Sequence, residues 1–436
     1  MKSLLTNKWL KSFGITATLM VIICFMTGPS GSNTDPVAGF SGSLFNSAPF
    51  LGLFITRRWV VFLLFALIAF VVQQGWQAYG RQVKVGYAKV MATPRELKSK
   101  RPVRLGTYGA LLLLALLLPH LVTDPFWQVA MVQQIAVYVL LALGLNVVVG
   151  FAGLLDLGFV AFYAIGAYAT AWVVGSLPLP PLFGHALNNF WAIPIAILIA
   201  MAAGIILGTP TLRLRGDYLA IVTLGFGEII TLFANNLNGI TGGPQGSRII
   251  PHFHLSLGPL KYVWGNGPIP YYYLILGFLI LFLVGFSFLE HSRVGRTWTA
   301  IREDEVAAES LGINPLKYKV MAFAIGAASA GFSGVMTASQ QNFVFPTTFS
   351  LFFSINILVL VIFGGLGSIR GVVFGAIVVQ TITMYLLHSP PSGYQPADLY
   401  MYIGAMLVGM MIFRPAGLLP ATRRKREIVQ LREEAQ

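Results

Sequence analysis

The stretch FWQVAMVQQIAVYVLLALGLNVVVG, from Phe126 to Gly150, contains no Asp, Glu, Lys or Arg. A run of about 17–25 apolar residues, wound at about 1.5 Å per residue, is long enough to cross a hydrocarbon layer of about 30 Å. Lipid offers no partner for backbone N–H and C=O groups, and a helix satisfies them internally. The run also lacks the period-two alternation of a membrane barrel strand. It therefore predicts a membrane-spanning helix. Read outward in both directions, the chain holds similar runs at 13–28, 59–76, 105–123, 154–176, 190–212, 216–234, 270–289, 320–338, 350–365, 371–388 and 399–413. Twelve segments result, and the fold class expected is an all-α polytopic membrane protein.

Composition agrees. Of 436 residues, 56% are hydrophobic and 10% charged, against about 25% charged in soluble domains. The net charge of +14 does not point to nucleic acid, because the basic residues lie between the apolar runs. With the N-terminus in the cytoplasm and each segment crossing once, all of the 29 Lys and Arg except Arg57, Arg58, Arg248 and Lys261 fall on the cytoplasmic side. That is the bias of the positive-inside rule. Both termini are thus expected in the cytoplasm of an inner membrane. Lys2, Lys8 and Lys11 before the run Phe13–Gly28 imitate a signal peptide, but an uncleaved first span is expected. Cys24 is the sole cysteine, so no intrachain disulfide forms. The histidines are scattered, and no metal site is expected.

The chain divides into an N-terminal extension, 1–104, with two spans and a basic loop; a membrane domain, 105–420; and a basic tail, 421–436. Loop 77–104 carries eight basic residues against Glu96, which suits a solvated loop beside anionic headgroups. An internal repeat aligns GFAGLLDLGFVAFYAIGA (Gly150 to Ala167) with IFGGLGSIRGVVFGAIVV (Ile362 to Val379), pairing Gly153 with Gly365. With every segment crossing, the repeat would be parallel. Duplicated halves are common in transporters.

Few residues here carry chemistry. Asp156 and Asp217 lie near segment ends, and Glu228 is deep within one. A single deep carboxylate gives thin support to an ion-coupled carrier. For Glu228 itself two readings stand, a hydrogen bond between helices or contact with substrate. Gly150, Gly153, Gly364 and Gly365 mark either close helix packing or breaks around a translocation path. Converging catalytic groups are missing, so an enzyme is not expected. No G-x-x-x-x-G-K-[ST] occurs, so ATP with Mg, if used, binds partner subunits. Loop 290–319 is the most informative. Ile301 to Ile313 predicts a short helix, with Glu303, Asp304 and Glu305 at its positive end and Ala307 and Leu311 on one face. Gly312 is placed for a left-handed terminus. Such a helix suits either an ordinary surface or docking to a soluble motor.

Longer motifs sharpen this. GLNVVVGFAGLLDLGFVAFYAIGAY (Gly144 to Tyr168), RLRGDYLAIVTLGFGEI (Arg213 to Ile229), ITGGPQG (Ile240 to Gly246), RVGRTWTAIREDEVAAESLGI (Arg293 to Ile313) and FRPAGLLP (Phe413 to Pro420) together resemble permease subunits of branched-chain amino-acid ABC transporters, of the LivM type. The resemblance covers about 105–420, and the extension looks like the extra N-terminal region of this subunit type. It implies about 10–12 transmembrane helices around a vitamin B12-importer-like (type II) core. It also implies a second homologous permease, two cytoplasmic ATP-binding subunits and a periplasmic substrate-binding protein. In such permeases a cytoplasmic loop docks on the ATPase, and Glu305, Ala307, Ala308 and Gly312 match it. Arg302, Glu303, Asp304 and Leu311 complete the expected coupling segment. Urea and short-chain amide permeases are related, so the motifs specify the family more than the cargo. Inverted repeats in this family would require the segment after Gly150 or the one after Gly216 only to dip into the membrane.

The charge distribution generates a test of topology. In a background lacking Cys24, Gly258→Cys should react with an impermeant thiol reagent added outside spheroplasts, and Lys89→Cys should not. Labelling at position 89 from outside reverses the orientation.

Overall fold

The computed structural model describes residues 101–182, 184–212, 217–257, 260–265 and 267–388, together with 399, 403–404, 406–408, 410 and 417–419. The spans expected at 13–28 and 59–76, the basic loop up to residue 100, the tail 421–436 and most of segment 399–413 lie outside these residues. Among them, the apolar runs are helices with ends close to those expected. They are α1 (Arg101–Leu121), α2 (Pro125–Phe151), α3 (Phe159–Val173), α4 (Asn189–Thr211), α5 (Asp217–Asn236) and α6 (Pro268–His291). After them come α7 (Arg293–Glu303), α8 (Glu305–Ser310), α9 (Pro315–Gln341), α10 (Leu351–Gly364) and α11 (Ile369–His388). Local chemistry sets several starts. Asp124 accepts from Phe126 N at 2.9 Å ahead of α2, and Asn314 accepts from Lys317 N at 3.2 Å ahead of α9, each followed by a proline. A proline in the first helical position gives up only an N–H that would be unpaired anyway. Asn342, with φ of 64°, ends α9 in the left-handed region.

Six of these helices are long and apolar enough to cross a membrane. The short ones correct the assumption that every segment spans. At about 1.5 Å per residue, the 15 residues of α3 and 14 of α10 reach roughly 22 and 21 Å, short of about 30 Å of hydrocarbon. Segment 216–234 forms the full-length α5, so of the two segments in question the one after Gly150 is the short one. A departure from the expected all-α chain lies in loop 235–269, where β1 (His254–Leu257) and β2 (Leu260–Val263) pair antiparallel. The loop is bound to the far end of α9. Asn342 Nδ2 donates to Ile250 O at 2.8 Å, Tyr271 OH to Ser339 O at 2.8 Å, and His252 Nδ1 lies 2.9 Å from Tyr271 OH.

The chain forms two compact units, 1–115 with 390–395 and 116–389 with 396–436. The first contributes only the start of α1 to the described residues. In the second, α2 and α9 are central, each with 78% of its apolar window buried, against 22% for α4 and 11% for α6. Their small residues let backbones meet, which replaces the hydrophobic driving force that lipid cannot supply. A Cβ on Gly166 of α3 would lie 2.3 Å from Gly331 O of α9. One on Gly331 would meet Ala200 Cβ of α4 at 2.5 Å, and one on Gly334 would meet Tyr163 O of α3 at 2.5 Å.

Overpacking of this kind costs about 1–3 kcal/mol. Gly166→Ala is therefore expected to lower the melting temperature of the detergent-purified protein. Gly277→Ala on α6, where nothing lies within 4 Å, should leave it unchanged or raise it. Equal melting of the two variants would contradict the crossing of α3 on α9.

Candidate functional site

The segment Ile301–Ile313 is two helices, not one. Asp304 (φ −154°) is extended and breaks the chain between α7 and α8. The cause is its side chain, which accepts from Val306 N at 2.9 Å and Ala307 N at 3.0 Å and starts α8 afresh. The acids expected at one positive end are thus split. Glu303 closes α7, Asp304 caps α8, and Glu305 opens it. The far end is as expected. Gly312 has φ of 82°, Gly312 N donates to Glu309 O at 2.9 Å, and Ile313 N donates to Ala308 O at 3.2 Å. This pair of bonds caps the last carbonyls of α8.

The inner side of the segment is anchored. Trp298 and Ala308 are buried, and Trp298 Nε1 donates to Tyr318 O at 2.7 Å. Lys319 of α9, 7% exposed in its side chain, pairs with Glu305 at 2.7 Å. An ammonium that far from water needs such a partner. The outer side is uncovered and mixed in character: Val306 is 65% exposed and Leu311 80%, with Ala307 and the acids Glu303, Asp304 and Glu309 also exposed.

Arg302 joins this segment to the membrane core. Its Nη1 donates to Gly150 O at the end of α2. A Cβ on Gly153 (φ 73°) would lie 2.4 Å from Arg302 Cγ, and one on Gly367 (φ 77°) 3.1 Å from Arg302 Nη1. The buried Asn146 closes the other side, where its Oδ1 accepts from Gly367 N at 2.9 Å. Two helix breaks therefore sit against each other, after α2 and after α10. They have one local design. Gly153 and the aligned Gly365 (φ 120°) turn the chain, and then Asp156 Oδ1 accepts from Gly158 N at 2.9 Å while the aligned Ser368 Oγ accepts from Gly371 N at 3.1 Å. Residues Gly417–Leu419 of the FRPAGLLP motif complete the second break. Leu418 N donates to Phe363 O at 2.9 Å and Leu419 N to Gly364 O at 3.1 Å, pairing carbonyls that α10 leaves open.

The structure thus brings Arg302, Gly150, Gly153, Gly364 and Gly365 into one region. Asp156 is buried beside α5, where Leu157 N donates to Thr223 Oγ1 at 3.1 Å. Asp217 begins α5 and Glu228 lies at its middle, away from the breaks. Of the two readings of Glu228, the hydrogen bond between helices is not formed among the described residues, and the residue is exposed. Sequence reasoning missed Asn146, Trp298 and Lys319. A polar Asn inside the run GLNVVVG was the one signal for the first of these.

The family described as "Branched-chain amino acid transport system / permease component" matches residues 129–415. The chain belongs to that family. This permease is 42% identical to the high-affinity branched-chain amino acid transport system permease protein LivM of Escherichia coli K12, over 72% of this chain and 74% of the relative. It is 40% identical to LivM of Salmonella typhimurium, with the same coverage. It is also 23% identical to LivH of Escherichia coli K12, another permease protein of a branched-chain amino acid transport system, over 65% of this chain and 91% of that one. No solved structure matches it.

The α8 terminus is testable. A β-branched side chain at φ of 82° costs roughly 1–2 kcal/mol in the left-handed region, whereas Asn tolerates it. Gly312→Val should increase proteolysis at 305–313 in purified permease, and Gly312→Asn should not.

Proposed function

We propose that this chain is one of two homologous permease subunits of an ATP-driven importer that moves amino acids, branched-chain ones foremost, from periplasm to cytoplasm by alternating access. The observation that supports it best is Arg302, which connects an exposed segment with outward Val306 and Leu311 to two apposed helix breaks in the core. In this reading Val306, Ala307 and Leu311 seat against one of two cytoplasmic ATP-binding subunits, which hold ATP with Mg. A periplasmic binding protein delivers the cargo to the face built from loop 235–269. ATP binding shifts the balance of two conformations, and the α7–α8 segment passes that shift to α2 and α10. The chain itself makes and breaks no covalent bond. The proposal includes a vitamin B12-importer-like core of about 10–12 helices, with both termini and loop 77–104 in the cytoplasm of the inner membrane.

Uptake of labelled leucine, alanine and urea in a deletion strain, with and without this gene, tests the cargo class. Restoration of leucine uptake supports the reading, and restoration of urea uptake alone overturns it. For coupling, a hydrogen bond to a charged group contributes about 1.5–3 kcal/mol, equivalent to roughly tenfold or more in a two-state bias. Arg302→Met should thus leave the subunits assembled and hydrolysing ATP while uptake falls by about that factor. Arg302→Lys, which keeps the charge without the planar fork, should lie between. Normal uptake by Arg302→Met removes the residue from coupling.

A further inference from the structure

The helices that face outward in this chain differ in one respect. On α4, Trp191, Leu198 and Ile206 are 63%, 57% and 73% exposed, and the helix has no ionisable residue. On α6, Leu281, Val284 and Phe288 are 65%, 49% and 74% exposed, and its only acid and its histidine, Glu290 and His291, stand at its end. Both surfaces suit lipid. Helix α5 also presents an outward stripe along its length: Tyr218 at 71%, Ile221 at 64%, Ile229 at 48%, Leu232 at 56% and Phe233 at 58%. At the middle of that stripe stands Glu228, exposed and without a hydrogen bond or ion pair among the described residues. The opposite face, with Leu219, Thr223 and Ala234, is buried against the rest of the chain.

An ionisable side chain at the centre of a spanning helix costs about 2.5–3.5 kcal/mol or more against lipid, and such groups face protein or a water-filled path. One turn before it, Gly225 leaves a notch where a Cβ would meet nothing within 4 Å. Small residues at such places let a second helix approach closely. We infer that the α5 stripe centred on Glu228 is the seam against the second permease subunit, whose facing helix supplies a hydrogen-bond donor or cation to the carboxylate at mid-membrane. This rests on the two-permease reading above. The stripe runs from Tyr218 to Phe233 and so gives the partner most of a helix length to pack on, with one polar point to set its register.

Photo-crosslinking in membranes that hold the complete transporter tests this. The probe is p-benzoylphenylalanine placed at Ile221, Ile229 or Leu232 of α5, with Leu198 of α4 and Leu281 of α6 as lipid-facing controls. After illumination and purification, mass spectrometry identifies each adduct. The α5 positions are expected to join this chain to a second, different permease of the same family, and the controls are expected to give no such adduct. Gly225→Leu, whose Cβ would meet nothing within 4 Å, should reduce recovery of the second permease while the membrane level of this chain stays unchanged. If the second permease co-purifies and leucine uptake is intact, yet α5 adducts form only with lipid, with residues of this chain or with another copy of it, the seam is wrong and the importer reading stands. Undiminished recovery with Gly225→Leu also counts against the seam. Absence of any second permease from the purified assembly overturns both.

Discussion

The docking segment depends on one hydrogen bond for its link to the two helix breaks, the one from the Arg302 guanidinium to the carbonyl of Gly150. A helix end leaves carbonyls unpaired and carries partial negative charge, so a cation there meets two needs at once. The side chain reaches this carbonyl only because Gly153 and Gly367 have no Cβ in its way. Asn146 then fastens the second break to the first through Gly367 N. A side chain at either glycine would press on the arginine. Remove the arginine and the docking segment is attached to the core chiefly through α9, by Trp298 and the Glu305–Lys319 pair.

The repeated design of the two breaks gives the alignment of Gly150–Ala167 with Ile362–Val379 a physical content. In both, a glycine with positive φ turns the chain, and three positions later a small polar side chain accepts from a backbone N–H at or just before the start of the helix that follows. Asp and Ser are different residues with the same local task. Identity between the repeats is therefore low where the geometry is shared.

Helix positions were legible because the length and apolarity of a run are local properties. The run 126–150 became Pro125–Phe151, and 190–212 became Asn189–Thr211. Gly312 was legible for the same reason, since a left-handed terminus needs only the residue that tolerates it. The break at Asp304 was not. An acid in the first turn and an acid that caps a new helix have the same composition, and only the path of the chain separates them. The depth of Glu228 could be counted along the sequence, but its direction could not, because which side of α5 is covered depends on where Gly158 and Thr223 pack. Lys319 looked like one more basic residue of a solvated loop until its partner on α8 was placed.

Helix α9 has a further property as an object. Its 27 residues make a rod of roughly 40 Å. Near one end Lys319 is tied to Glu305 on α8, and at the other Ser339 and Asn342 are tied to His252 and Ile250 of the loop that carries the hairpin. Between those ends it is buried on nearly every side, so it has little freedom to bend. A strut fastened at both ends carries displacement along its axis with little loss. The two surfaces it joins lie on opposite sides of the helical core, and neither can shift along the axis of α9 without loading the other.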